Sequence, residues 1–150
     1  MRRAFAVAKR GIAAGQSPFG AVVVRGATVV SRAHNAVWRT TDATAHAEIR
    51  AIRAACRRRK TIDLSGCVLY STCEPCPMCF AACHWAKLDA VVYGARIADA
   101  AKCGFSELSL SNRDMKRIGR SPIRIVPDVL RPEALGLFAM WARREDRRVY

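Results

Sequence analysis

The chain contains no apolar run approaching the ~18 residues of a membrane-spanning helix, so no helical membrane span is expected. Its opening, MRRAFAVAKRG, is basic like an export signal. The apolar stretch from Ala4 to Ala8 is cut short by Lys9 and Arg10, and a secretory leader is not expected either. Repeats, low-complexity tracts and linkers are missing, so the 150 residues read as one soluble globular domain, 1–150, long enough to bury a core. Acidic residues are scarce: 12 Asp and Glu stand against 26 Lys and Arg, a formal charge of +14. That balance admits a nucleic-acid partner such as tRNA, and it equally suits a basic surface with no partner. The densest run, Arg57-Arg58-Arg59-Lys60, falls where a helix should end, and cations there complement the helix dipole. An even, spread set of cysteines is also lacking. The seven present are odd in number and clustered, which excludes a disulfide framework and points to metal-binding or catalytic thiols in a reducing cytoplasm.

Met1, Phe5, Ala8 and Ile12 share one face at helical spacing, and Gly15 can end that helix. FGAVVVRGATVVS then reads as two β-branched strands joined at Gly26, a hairpin. A second helix follows, capped by Thr44 or Asp42, with Ala45, Ile49, Ile52 and Cys56 as its inner stripe and Arg50, Arg53 and Arg57 outside. CVLYS from Cys67 is a short buried strand. Pro77 suits the first position of a third helix and Cys76 its cap. Strands AVVYG from Ala90 and PIRIV from Pro122 follow, and Pro132 opens a last helix bearing Leu135, Phe138 and Trp141. Residues 95–120 carry caps and a Gly-Phe pair that suggest short helices and loops. Strands alternating with helices after a hairpin give an α/β protein, a mixed sheet covered on both faces.

The chemistry concentrates in STCEPCPMCFAACHW, residues 71–85, where Cys73, Cys76, Cys79 and Cys83 form a C-x2-C-x2-C-x3-C run. Bacterial ferredoxins use this spacing for an iron–sulfur cluster. Upstream, TAHAEIRAIRAA holds His46 and Glu48 at a helix start, completing the H-x-E…P-C-x-x-C pattern of zinc-dependent base deaminases. His46, Cys76 and Cys79 offer one nitrogen and two sulfurs to a tetrahedral Zn2+, with the fourth position free for water. Cys76 and Cys79 are three apart at a helix start, so they face one way, and the positive helix end favours their thiolates. A cluster would need Cys83 too, yet it lies about two turns along the helix. The ferredoxin run also normally ends in Pro, where this chain has His84. Cys79-x3-Cys83-His84 is one residue too long for haem attachment. A thioredoxin-like pair, or a closed zinc site using Cys73 or Cys83 as fourth ligand, would leave Glu48 without a task.

These motifs resemble the cytidine deaminase-like superfamily of zinc deaminases, and within it the bacterial guanine deaminases and plant guanosine deaminases. The likeness runs through SPFGAVVV, His34-Asn35, TAHAEIRAIRAAC, IDLSGCVLYSTCEPCPMCFAACHWAKLDAVVYGA, Gly104-Phe105 and a terminal Tyr. It implies a three-layer α/β/α cytidine deaminase-like fold around a mixed five-stranded sheet, a Zn2+ cofactor on His46, Cys76 and Cys79, and Glu48 as proton shuttle. It further implies hydrolytic release of ammonia from a free nucleobase or nucleoside, guanine first, by a cytoplasmic homodimer. Asn35, Phe19, Ala47, Trp85, Phe105, Glu107 and Tyr150 match positions around the family's substrate. Phe19 and Trp85 are equally readable as core residues, and Asn35 as a turn residue. Tyr150 matches a C-terminal tyrosine that closes over the pocket, sometimes exchanged between subunits. One departure stands out: guanine deaminases usually read Gly-Phe-Asp-Asp where this chain has Gly104-Phe105-Ser106-Glu107, and Glu107 is a methylene longer. The tRNA adenosine deaminases share the zinc motif and are the alternative, although they tend to carry valine at the position of Phe19. A cytosine deaminase is a third member of the same chemistry.

Overall fold

The computed structural model describes residues 1–150. Helix α1 (Arg2–Ala13) precedes the hairpin of β1 (Gly20–Arg25) and β2 (Thr28–His34), whose turn uses Gly26 at φ 54°. After the short α2 (Val37–Thr40) comes α3 (Ala47–Arg59), then β3 (Cys67–Cys73), α4 (Pro77–Trp85) and β4 (Ala90–Ala95). The remaining elements are α5 (Ile97–Lys102), α6 (Asn112–Gly119), β5 (Arg124–Val126) and α7 (Arg131–Ala142).

The strands form one mixed sheet in the order β2-β1-β3-β4-β5. The pairs β1–β2 and β1–β3 are antiparallel, while β3–β4 and β4–β5 are parallel. Parallel neighbours need crossover helices, and α4 supplies the one between β3 and β4. Helices α1 and α7 cover one face and pack on each other; α3 and α4 meet on the other. Gly20 lets α1 lie directly on the start of β1, because a Cβ there would stand 2.6 Å from the Ala4 carbonyl oxygen and 2.7 Å from the Ala8 nitrogen. The resulting core joins Phe5, Ile12, Val23, Leu69, Phe80, Val91 and Leu137.

The structure departs from the sequence reading at α3. Neither Thr44 nor Asp42 caps it; His46 does, with extended backbone at φ −62°, ψ 153°. Asp42 instead accepts from the Thr44 N–H at 2.8 Å and the Thr44 hydroxyl at 2.7 Å, closing a local turn that delays the helix by two residues. The buried stripe is Ala47, Glu48, Ala51, Ile52 and Ala55, whereas Ile49 and Cys56 are half-buried. The helix is rotated so that Glu48 points inward. Its alanines allow close approach to the sheet, where the Ser31 hydroxyl reaches the Ala51 carbonyl at 2.7 Å. In α7, Leu137 joins Phe138 and Trp141 in the core while Leu135 is half-buried.

Candidate metal centre

Two helix starts meet at the metal centre. His46 is the residue before α3 and Cys76 the residue before α4, and the first intrahelical bonds run to their carbonyls, Arg50 N–H at 3.0 Å and Phe80 N–H at 2.9 Å. The turn carrying Cys76 is fixed from behind. Buried Asn112 donates its amide to the Pro75 carbonyl at 2.6 Å, and the Glu74 carboxylate accepts the Asn112 backbone N–H at 2.9 Å. Both residues that lead into the helices are therefore held by backbone geometry.

The Sγ atoms of Cys76 and Cys79 lie 3.7 and 3.6 Å from His46 Nδ1. The donor atoms of the three residues all fall within 4.8 Å of one another. Zinc bonds of about 2.1 Å to nitrogen and about 2.3 Å to sulfur, at a tetrahedral angle, separate the two ligand atoms by about 3.6 Å. The donor set fits that ion on both chemistry and spacing. Cys73 Sγ turns away to the Arg96 carbonyl at 3.4 Å, and Cys83 is buried farther along α4. Neither joins the group, so the ferredoxin-like spacing does not gather four sulfurs.

Glu48 is 4% exposed. Its Oε1 accepts from the Ser71 hydroxyl at 2.6 Å, and Oε2 lies 3.6 Å from Cys79 Sγ. Burial pushes its carboxyl above the ordinary range, because the charged form loses water. The two thiols share a proton unequally. Cys76 is drawn down to about 4, first by its hydrogen bond with Cys79, while the same bond and then burial push Cys79 up. Glu107, which lies within electrostatic reach of the centre, is pushed up to about 7 by burial and then by the Cys76 charge.

Tyr150 reaches the same place from the far end of the chain. Asn35, wholly buried, donates its amide to the Tyr150 hydroxyl at 2.6 Å and accepts from the Val37 N–H at 3.1 Å. The Tyr150 ring sits 5.7 Å from the His46 ring and 5.7 Å from Phe105. Ser106 N–H donates to the Tyr150 carbonyl at 3.0 Å. Phe19 and Phe105 are themselves buried, edge to face at 5.0 Å, and Ala47 is fully buried on α3. Trp85 is a correction to both earlier readings: at the end of α4 it is 78% exposed, in neither the core nor the centre. Ser71, Glu74 and Asn112 were missed. Ser71 shares the buried face of β3 with Cys67 and Leu69, and Glu74 stands inside the cysteine run, yet only the folded chain shows what they hold.

The model of the cytidine and deoxycytidylate deaminase zinc-binding region matches residues 1–95. The chain belongs to that family. It is a zinc-dependent hydrolytic deaminase by membership, and His46, Cys76 and Cys79 are positioned to hold its metal. The guanine deaminase of Bacillus subtilis (strain 168) is 37% identical over 153 residues, covering 100% of this chain and 96% of that protein. The tRNA-specific adenosine deaminase of Aquifex aeolicus (strain VF5) is 46% identical over 88 residues, 59% of this chain and 58% of its own. Among solved structures, a guanine deaminase from Nitrosomonas europaea overlays with a TM-score of 0.88 at 28% identity, covering 95% of this chain and 82% of that one.

Proposed function

We propose that this family member deaminates guanine to xanthine and ammonia. The observation that carries the reading is the likeness along the whole chain: the Bacillus guanine deaminase is 37% identical over 100% of it, where a full-length tRNA-specific adenosine deaminase, that of Buchnera aphidicola, is 31% identical over 98%. The C-terminal third reaches the centre through Phe105 and Tyr150.

His46, Cys76 and Cys79 would hold the zinc, which when bound would acidify a water for attack. Glu48 is the proton carrier in this proposal. Ser71 holds Oε1, leaving Oε2 on the side of the metal ligands, where it can carry the two protons of the attacking water in turn, the first to a ring nitrogen and the second to the leaving amine. A buried carboxyl with a raised pKa suits both halves of that exchange. Asn35, Glu107 and Tyr150 are the proposed base contacts. Glu107 carries a carboxyl raised by burial, which suits an edge carrying both amide and amino groups. Tyr150, pinned by Asn35 beside His46, covers the centre and excludes water. The seven unpaired cysteines support a reducing, cytoplasmic setting.

The test is ammonia release from guanine, guanosine, adenine, cytosine and an anticodon stem-loop RNA. Guanine is expected to turn over fastest. Activity confined to the RNA would overturn the assignment in favour of the tRNA adenosine chemistry.

A further inference from the structure

Away from the metal centre, edge strand β2 and the outer face of α3 enclose two adjoining cavities of about 260 and 430 Å3. They share Arg32 and Ala54, so they form one trough. Its cations are Arg3, Arg32, Arg50, Arg53, Arg57 and Arg58. None of these takes part in any of the molecule's ion pairs. The one carboxylate in the lining, Asp42, is already engaged by Thr44. Arg50 and Arg58 each donate to a backbone carbonyl, of His34 and Val30, which leaves Arg3, Arg32, Arg53 and Arg57 as unpartnered cations along the trough, and their mutual repulsion favours an extended anion between them. The lining contains no aromatic ring, so it offers no platform on which a base could stack.

We propose that the trough between β2 and α3 binds the phosphodiester backbone of nucleic acid without reading its sequence. A single phosphate would occupy only one of the two cavities, while a chain of phosphates spans both and meets the arginines in turn. Guanidinium forks favour phosphate oxygens over other acceptors. The trough opens beside Ala45, the neighbour of His46, yet binding there involves none of the residues assigned to guanine turnover.

The test is fluorescence anisotropy of a labelled 20-nucleotide single-stranded RNA with the zinc-loaded full chain, read without turnover and so independent of the substrate assignment. The parent should bind, with affinity falling steeply between about 50 and 200 mM salt; each phosphate contact contributes roughly 0.7 to the log–log slope for single strands. Arg32→Ser/Arg53→Ser/Arg57→Ser should lower that slope by about 2 and weaken binding at least tenfold. Arg53→Ser alone should lower it by roughly 0.7. The triple Arg113→Ser/Arg117→Ser/Arg124→Ser removes equal charge from another basic cavity and should bind within twofold of the parent. Oligo(A) and oligo(U) should bind alike. Failure of the parent to bind, equal weakening by both triples at unchanged zinc content and circular dichroism, or binding of tripolyphosphate without the oligonucleotide would overturn the proposal.

Discussion

Ser71 should govern the working protonation state of Glu48, and Ser71→Ala tests that dependence. The hydroxyl donates at 2.6 Å to Oε1 of a carboxyl that has lost its water, and this bond lowers a pKa that burial otherwise raises. A hydrogen bond to a charged group is worth about 1.5–3 kcal/mol. Alanine removes that stabilisation from the carboxylate and leaves its neutral form less affected. The carboxylate needed to accept the first proton becomes scarcer near neutral pH, so kcat/KM should fall roughly 10- to 100-fold at pH 7. The low-pH limb of the rate profile should move to higher pH, and activity should partly recover in alkaline buffer. Glu48→Gln, which keeps the acceptor but cannot carry a proton, sets the floor and should show no such recovery. The assay is steady-state ammonia release from pH 5.5 to 9, with zinc content checked by atomic absorption. A Ser71→Ala profile overlying the parent's would refute the reasoning.

Two further predictions concern stability. Gly20→Ala should destabilise by about 1–3 kcal/mol in urea denaturation, since its methyl would meet α1 backbone at 2.6 and 2.7 Å; an unchanged midpoint would show that α1 can shift outward freely. His34 is held below its ordinary pKa of 6.5, chiefly by burial, with nearby Arg50, Arg39 and Arg10 adding to it. A lowered folded-state pKa means the stability is present above about 6.5 and is lost as pH falls toward the folded value. His34→Gln should therefore lose less stability than the parent between pH 7.5 and pH 5.5, and parallel losses would contradict this.

The metal site was legible because its chemistry demands fixed residue types at short spacings. A histidine two residues before a glutamate, and two cysteines three apart behind a proline, left few alternatives. Pro77 marked the start of α4 and Cys76 its cap, both as found. The sheet followed from β-branched runs separated by turn residues. Side-chain facing was harder. Of the stripe Ala45, Ile49, Ile52 and Cys56, Ala45 and Ile52 are buried while Ile49 and Cys56 are only half-buried, because alanines line the close contact and a charged Glu48 turns inward. Asp42 and Thr44 carry the right groups for a cap but use them on each other. Trp85 shows the limit most plainly, since its helical spacing from Met78 suited packing and the residue lies in water. Asn112 carries no local signal for its partner, 37 residues earlier.

Zinc-edge X-ray absorption on the purified protein addresses the metal centre most directly. Two sulfur ligands at about 2.3 Å and two lighter ligands at about 2.0 Å are expected: Cys76, Cys79, His46 and one solvent oxygen. Three or four sulfurs, with Cys73 or Cys83 drawn in, would close the open position and contradict a hydrolytic centre, as would iron in place of zinc.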